Sequence, residues 1–269
     1  HAVQDKVLDA VDFEALVEKR DALRRDGTLA GIGISTCLEP SGGNTSFEPL
    51  FNPKNDTTTW MESVLVKVDM MGTVTAMIGT SSSGQGHETL VATVVAEELE
   101  RDPDHIRVIH SDSITALPSN SPVGSRMAIM MGGAATGAAA RIKARLLEIA
   151  GHNLQLPVDR LVYSGGNVAV RGDPGKAMEW SELVDIAHRR YHQMPLGSEP
   201  GLQASYTWEV PTGGALPDAD GRVQMYPCYS FEAHVLLLAI DAETGAVEIL
   251  DYAIAHDCGT VINPDIVRG

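Results

Sequence analysis

The chain has 269 residues, of which 43% are hydrophobic and 21% charged, so it can bury the core of one large or two small domains. Asp and Glu total 36 against 20 Lys and Arg, and the resulting formal net charge of -16 disfavours nucleic acid and anionic membranes as partners. No run approaches the roughly 20 apolar residues that span a bilayer. Three scattered cysteines without a C-x-x-C pair are typical of a cytoplasmic protein with reduced thiols.

The first part of the chain predicts a helix, a strand, a loop and a hairpin. Residues 12–26 carry apolar side chains at helical spacing, and residues 31–39 alternate small and apolar residues like a strand. The Pro, Gly, Asn, Ser and Thr of residues 40–59 indicate a surface loop. Two alternating runs within residues 62–78 predict a hairpin that turns at Gly72.

The middle of the chain predicts two strands that each lead through a loop into a helix. The hairpin is followed by a Gly/Ser-rich loop and then by a helical apolar pattern through Leu90, Val94 and Leu99. A short strand is predicted at residues 105–112. The longest helix is predicted from about residue 125 to 150 and closed by Gly151. Its first half is almost wholly Gly, Ala and Met, so it must pack very closely against a neighbour.

The last part predicts shorter elements, and the whole pattern is that of an α+β protein. Two short strands precede an amphipathic helix at residues 181–192. Residues 230–241 and 247–259 read as a long hairpin. A break in organisation near residues 151–160 predicts one subdomain over residues 1–155 and a second over residues 156–269.

The strongest candidate site is the loop Ser81-Ser82-Ser83-Gly84-Gln85-Gly86-His87-Glu88, which lies between a strand and a helix. Its glycines let backbone amides approach a ligand, and the helix start adds a partial positive charge, so the loop suits a phosphate or similar anion. The spacing alone fits an ordinary helix cap, with Ser83 as the capping residue, at least as well. The loop is not a Walker motif, because no Lys follows its second Gly.

A second candidate is Gly124-Ser125-Arg126, which opens the small-residue helix. Arg126 could clamp an anion through its planar guanidinium. The alternative is a capped helix whose Arg side chain is merely solvated. Two such helix starts in one chain favour a shared anion site.

The remaining polar residues carry weaker signals. His256 and Cys258 share one face of a predicted strand, but no further ligands stand nearby, so a structural role is favoured over a metal site. No G-x-S-x-G elbow is present, which disfavours a serine hydrolase. Lone histidines such as His110 and His234 are interpreted as structural or surface residues.

Three motifs in one order resemble the large subunit of xanthine oxidase family molybdenum hydroxylases, in particular the carbon monoxide dehydrogenase-like bacterial branch. They are SSSGQGHET (81–89), GSRMAIMMGGAA (124–135) and HDCGTVINP (256–264). The likeness extends over essentially the whole chain, with HSDS at 110–113 where the family usually has Gly-Asp-Thr. The resemblance implies an α+β fold of mixed sheets with packed helices, part of the second molybdopterin-binding region of such a subunit.

The resemblance also implies the cofactor and its contacts. The cofactor is molybdopterin with molybdenum, which bacteria often use in its cytosine dinucleotide form. The residues expected to contact the pterin and phosphates are Ser83, Gly84, Gln85, Gly86 and His87. Those expected at the phosphate or nucleotide end are Gly124, Ser125 and Arg126. Asp257, Gly259 and Asn263 are expected to shape the turn beside the cofactor.

The activity implied by the resemblance is hydroxylation of an aldehyde, N-heterocycle or similar small substrate with oxygen from water. Electrons leave through [2Fe-2S] clusters, usually to FAD, so FAD-binding and iron–sulfur subunits are expected partners together with the rest of the large subunit. The family's catalytic Glu lies far downstream, so no residue here is predicted to be catalytic or to bind metal directly. The isolated chain is therefore expected to be inactive. The alternative is a non-catalytic module that uses the same fold to bind a phosphate ligand or dock a partner.

Overall fold

The computed structural model describes residues 2–42, 61–110, 112–120, 122–210, 217–222 and 226–268. Most of the loop predicted at residues 40–59 lies outside the described residues, while Pro40 and Ser41 end a strand. The chain forms two compact units. The first unit combines residues 1–41 with 228–261, and the second combines residues 42–227 with 262–269.

The first unit packs two helices against one face of a three-stranded sheet. Its helices are α1 (Ala2–Ala10) and α2 (Phe13–Arg25), and its strands are β1 (Leu29–Ser41), β9 (Cys228–Ile240) and β10 (Val247–Asp257). The strand order is β1-β9-β10, with antiparallel pairing throughout. Alternate residues of β9 bury Ala233, Val235 and Leu237 against Val7 and Leu16. The predicted helix at 12–26 and the long hairpin are therefore confirmed.

The second unit contains a four-stranded sheet that carries the candidate loop. Its strands are β2 (Met61–Val68), β3 (Val74–Ile78), β4 (Ile106–His110) and β8 (Leu202–Glu209), in the order β4-β3-β2-β8. The predicted hairpin is confirmed, since β2 and β3 are antiparallel and Gly72 has a φ of 84°. β3 and β4 are parallel and are connected through α3 (His87–Glu98). The carboxyl ends of both strands consequently lie at the same edge of the sheet.

The long helix α4 (Met127–Leu154) packs against this sheet through its small residues. A Cβ added at Gly133 would lie 2.7 Å from Cγ of Trp208, and one added at Gly137 would overlap the ring of Tyr206. The close neighbour is thus β8, a strand that the sequence analysis did not predict. None of the described helices is both long enough and apolar enough to cross a membrane.

The remaining elements of the second unit complete its core and its ends. The antiparallel sheet β5-β6-β7 comprises β5 (Leu161–Ser164), β6 (Asn167–Val170) and β7 (Asp173–Met178), and it is followed by α5 (Trp180–Arg189). A last short helix is α6 (Pro264–Arg268). The α+β class with several sheets and packed helices is confirmed.

Two details differ from the sequence-based expectations. Gly151 lies inside α4, and the helix ends at Gln155, which adopts the left-handed conformation with a φ of 55°. The compact units also do not follow the division predicted after residue 155. The reason is long-range strand pairing, because β1 pairs with β9 and β2 pairs with β8.

Candidate functional site

The loop of residues 81–86 lies at the carboxyl edge shared by β3 and β4. Gly84 and Gly86 adopt φ values of 101° and 75°, which side chains rarely tolerate. Gly86 is the N-cap of α3, and no side chain makes a capping hydrogen bond there. Because the first backbone N–H groups of a helix have no partner within the helix, this end of α3 can bind an anion.

The cap by Ser83 is wrong, because Gly86 takes the N-cap position, while the glycines form a turn as that alternative expected. The backbone N–H of Ser83 donates to Oε1 of Gln85, and the Ser82 hydroxyl donates to the same oxygen at 3.4 Å. Gln85 therefore folds back and orders the loop through its carbonyl oxygen. Its amide nitrogen is the group that can donate to a ligand.

His87, the first residue of α3, is buried, and its Nδ1 has no hydrogen-bond partner among the described residues. Burial lowers the pKa of this imidazole, so it is neutral near pH 7. The charges of Glu62 and Arg126 also act on this pKa, in opposite directions. A buried polar atom without a partner is costly and uncommon. Together with the uncapped helix start, it fits a site whose ligand supplies the missing hydrogen bond.

His110 ends β4 and contacts both sides of the loop. Its Nδ1 lies 2.8 Å from the carbonyl oxygen of Thr80, and its Nε2 lies 2.6 Å from Oε1 of Glu88. The hydrogen bond to Thr80 and the one to Glu88 both raise the pKa of His110. The pKa of Glu88 is lowered, first by a backbone N–H and then by His110. His110, interpreted from the sequence as a structural or surface residue, thus borders the candidate site.

The second motif adopts an unusual backbone at the start of α4. Gly124 has a φ of 79°, and Ser125 is left-handed at 46° although it is not a glycine. The backbone N–H of Gly42 donates to the carbonyl oxygen of Ser125 at 3.2 Å. Left-handed non-glycine residues cost free energy and are enriched at functional sites.

The Arg126 side chain points into the protein rather than toward a surface. Its guanidinium is fully buried and forms an ion pair with Glu62, with Nη2 and Oε1 2.5 Å apart. Glu62 also accepts hydrogen bonds from the Ser119 hydroxyl at 2.7 Å and from the backbone N–H of Asn120 at 3.1 Å. The guanidinium that was expected to clamp an anion is thus paired with Glu62 inside the protein.

Glu62 is the site residue that the sequence analysis missed. It appeared there only as the first residue of the hairpin segment. The structure makes it the junction of β2, the loop at residues 119–120 and the start of α4. Its charge also reaches His87. The two predicted motifs are thus brought into one neighbourhood within the second unit.

The third motif supplies turns, as predicted. In the first unit, Oδ1 of Asp257 accepts the backbone N–H of Gly259 at 3.0 Å. In the second unit, Oδ1 of Asn263 accepts the N–H groups of Asp265 and Ile266, which caps α6. His256, for which a structural role was favoured, pairs with a carboxylate, since its Nδ1 lies 2.9 Å from Oε1 of Glu232.

Comparison with known proteins finds a family model and relatives that match almost the whole chain. The family described as "Molybdopterin cofactor-binding domain" matches residues 6–269. The carbon monoxide dehydrogenase large chain of Hydrogenophaga pseudoflava is 32% identical over 273 residues, covering 100% of this chain. The nicotine 6-hydroxylase large subunit of Paenarthrobacter nicotinovorans is 29% identical over 267 residues, covering 99% of it.

Solved structures also resemble this chain over nearly its whole length. Quinoline 2-oxidoreductase from Pseudomonas putida 86 superposes with a TM-score of 0.79 at 28% identity over 98% of this chain. A Cu,Mo-CO dehydrogenase superposes with a TM-score of 0.76 at 29% identity, also over 98%. In all four comparisons the chain spans only 31% of the relative's own length.

Proposed function

The chain belongs to the molybdopterin cofactor-binding domain family, and on that premise we propose that it holds the anionic, phosphate-bearing part of the cofactor in a molybdenum hydroxylase large subunit. The observation that carries the proposal is the start of α3. There a helix end without a side-chain cap, two glycines with positive φ and the buried Nδ1 of His87, which has no hydrogen-bond partner within the described ranges, occur together. Each of these features suits a ligand rich in oxygen acceptors.

The loop residues bind the pterin and phosphates mainly through their backbone. Gly84 lets the chain approach the ligand, because no Cβ stands between the ligand and the amide groups there, and Gly86 contributes its positive φ. Space is open where a Cβ of Gly84 would lie. The amide nitrogen of Gln85 and Nδ1 of His87, in its protonated tautomer, donate to ligand oxygens. Ser83 contributes its hydroxyl, since its N–H is held by Gln85.

The second motif serves the nucleotide or phosphate end. The turn that contacts this end of the ligand is formed by the left-handed backbone of Gly124 and Ser125. Arg126 acts by a different route from the one expected from its sequence. Its buried pair with Glu62 fixes where α4 begins, so it positions Gly124 and Ser125 instead of contacting the ligand itself.

The bound cofactor supplies a molybdenum centre that oxidises a C–H bond of an aldehyde, N-heterocycle or similar small substrate with oxygen from water. The residues described here bind and orient that cofactor. Because the chain spans 31% of its relatives, substrate selection and proton transfer belong to the rest of the large subunit. On this proposal the isolated chain is inactive.

Similarity to large subunits of this kind supports the remaining assignments within the proposal. They are a cytosine dinucleotide form of molybdopterin, electron transfer to partner subunits with [2Fe-2S] clusters and FAD, and a cytoplasmic location. The net charge of -16 fits the absence of nucleic acid from this set of partners.

The proposal is tested with inorganic pyrophosphate as a probe of the phosphate site. Backbone amide NMR signals of residues 81–88 should shift as pyrophosphate is added to the purified chain. Gly84→Ala should weaken binding about tenfold, because a side chain disfavours the binding-competent φ by roughly 1–2 kcal/mol and the free loop then prefers another backbone conformation. Gly197→Ala is the matched control, since Gly197 has a φ of 83° and equally open space. Equal weakening by both substitutions, or shifts confined to other residues, would contradict the proposed site.

A metal analysis of the complete subunit that carries this chain distinguishes the proposed function from a non-catalytic module that only binds phosphate. Molybdenum bound in a near one-to-one ratio, measured by mass spectrometry, is the expected result. Pyrophosphate binding together with a complete subunit that never carries molybdenum would favour the phosphate-binding module instead.

A further inference from the structure

His110 makes a hydrogen bond on each side of the candidate loop. Thr80 immediately precedes the loop, and Glu88 stands in the first turn of α3. The two ring nitrogens of His110 reach one of these residues each, at 2.8 Å and 2.6 Å. The side chain therefore closes the loop from the adjacent strand β4.

The chemistry of the two partners fixes the protonation state of His110. A backbone carbonyl oxygen can only accept a hydrogen bond, and an ionised carboxylate can only accept as well. Two acceptors require two N–H donors, and only the charged imidazolium has both. A neutral His110 would lose one of the two hydrogen bonds, and the loop would lose one of its two fixed ends.

We propose that protonated His110 is a positioning residue that closes the anion-binding loop, so that binding of phosphate groups by this loop weakens as His110 loses its proton. This inference rests on the proposed function and adds its regulation by pH.

The surroundings of His110 set the direction of the pH dependence. The titratable groups that act on it among the described residues are Glu88 and His87, both at the start of α3. The carboxylate of Asp112, two residues further along, accepts hydrogen bonds from the backbone N–H groups of Ile114 and Thr115. The carbonyl of Thr80 and the carboxylate of Glu88 favour the charged form and raise the pKa of His110.

The raised pKa of His110 determines how anion binding changes with pH. Below the raised pKa, both hydrogen bonds are made and the imidazolium adds a positive charge near the start of α3. As pH rises through this pKa, the charge and one hydrogen bond disappear. Binding of an anion should therefore be strongest at the acidic end and weaken above neutrality, where the lowered pKa of His87 keeps that imidazole neutral.

The first experiment measures the closure without any ligand. NMR signals of the His110 ring are followed from pH 5 to 9.5 in the purified chain and in a Glu88→Gln variant. The pKa of His110 should lie above the ordinary value of about 6.5 and fall in the variant, where the carboxylate charge is lost. An ordinary pKa in the unmodified chain, or no change in the variant, would overturn the proposal.

The second experiment measures pyrophosphate affinity by calorimetry over pH 6 to 9.5. His110→Gln removes the charge, and His192→Gln, at an exposed position, is the matched control. The ratio of affinities between the unmodified chain and His110→Gln cancels the titration of pyrophosphate itself. It should be about fivefold at pH 6 and approach unity at pH 9.5, while His192→Gln should match the unmodified chain throughout.

A failure of the proposed role of His110 can be distinguished from a failure of the proposed phosphate site. Pyrophosphate binding that is equal in the unmodified chain and His110→Gln at every pH would overturn the role of His110 and leave the proposed function standing. No binding by any of the proteins at any pH would overturn the proposed phosphate site, and the pH dependence with it.

Discussion

Replacing Glu62 with Gln should destabilise the second unit far more than an average substitution. Glu62 and Arg126 are both fully buried, and their charged atoms lie 2.5 Å apart. Burial lowers the pKa of Arg126, and the carboxylate of Glu62 opposes that shift. The substitution removes the carboxylate charge that pairs with this buried guanidinium, which costs about 3–5 kcal/mol.

The reverse substitution and the double variant separate the pair from its surroundings. Arg126→Met leaves the carboxylate with donors from Ser119 and Asn120, so its cost should lie at the lower end of the same range. In the double variant neither charge of the pair remains. Its loss should be smaller than the sum of the two single losses by about 1–3 kcal/mol.

The assay is equilibrium unfolding in urea followed by tryptophan fluorescence. All three tryptophans, Trp60, Trp180 and Trp208, fall within residues 42–227, so their signal reports the second unit. Asp220→Asn is a control, because its ion pair with Arg222 is largely exposed and should contribute little. A loss below about 1 kcal/mol for Glu62→Gln, or strict additivity in the double variant, would refute the reasoning.

Two further predictions concern packing and pH. Gly137→Ala should cost at least about 1–3 kcal/mol, because its Cβ would overlap the ring of Tyr206. Gly132→Ala should be neutral or stabilise by up to about 1 kcal/mol, since space there is open; equal thermal destabilisation by both would contradict this packing. Burial holds the folded pKa of His87 below its unfolded value, so its cost is absent above about pH 6.5 and grows as pH falls. His87→Gln should therefore gain stability relative to the unmodified chain between pH 7.5 and 5.5 in urea unfolding, and a constant difference would argue against a buried neutral imidazole.

Elements that are defined by local periodicity could be predicted from the sequence. The helix at residues 12–26, the hairpin that turns at Gly72 and the long hairpin near the end all depend on patterns within a short window. β8 also has such a pattern, since Leu202, Ala204, Tyr206 and Trp208 alternate with polar residues. It was missed because the pattern follows a Pro/Gly-rich segment and contains few β-branched residues.

Features that depend on distant partners could not be predicted. Glu62 looks like a surface residue at the start of a strand, and its ion-pair partner lies 64 residues away. The direction of the Arg126 side chain follows from the same pairing. The loop itself was correctly located between a strand and a helix. Whether Ser83 caps that helix depends on the residue at which the helix begins, and sequence spacing does not fix that Gly86 takes the N-cap position.

The discontinuous first unit has a consequence for synthesis on the ribosome. Ser41 of β1 pairs with Cys228 of β9, 187 residues later in the chain. At translation rates of about 5–20 residues per second, β1 waits roughly 10–40 s for its partner strand. During that interval the edge of β1, with apolar Ile32 and Ile34, has no strand beside it, while the continuous run of the second unit is already emerging. The nascent chain should thus depend on a chaperone over residues 29–41 during that interval.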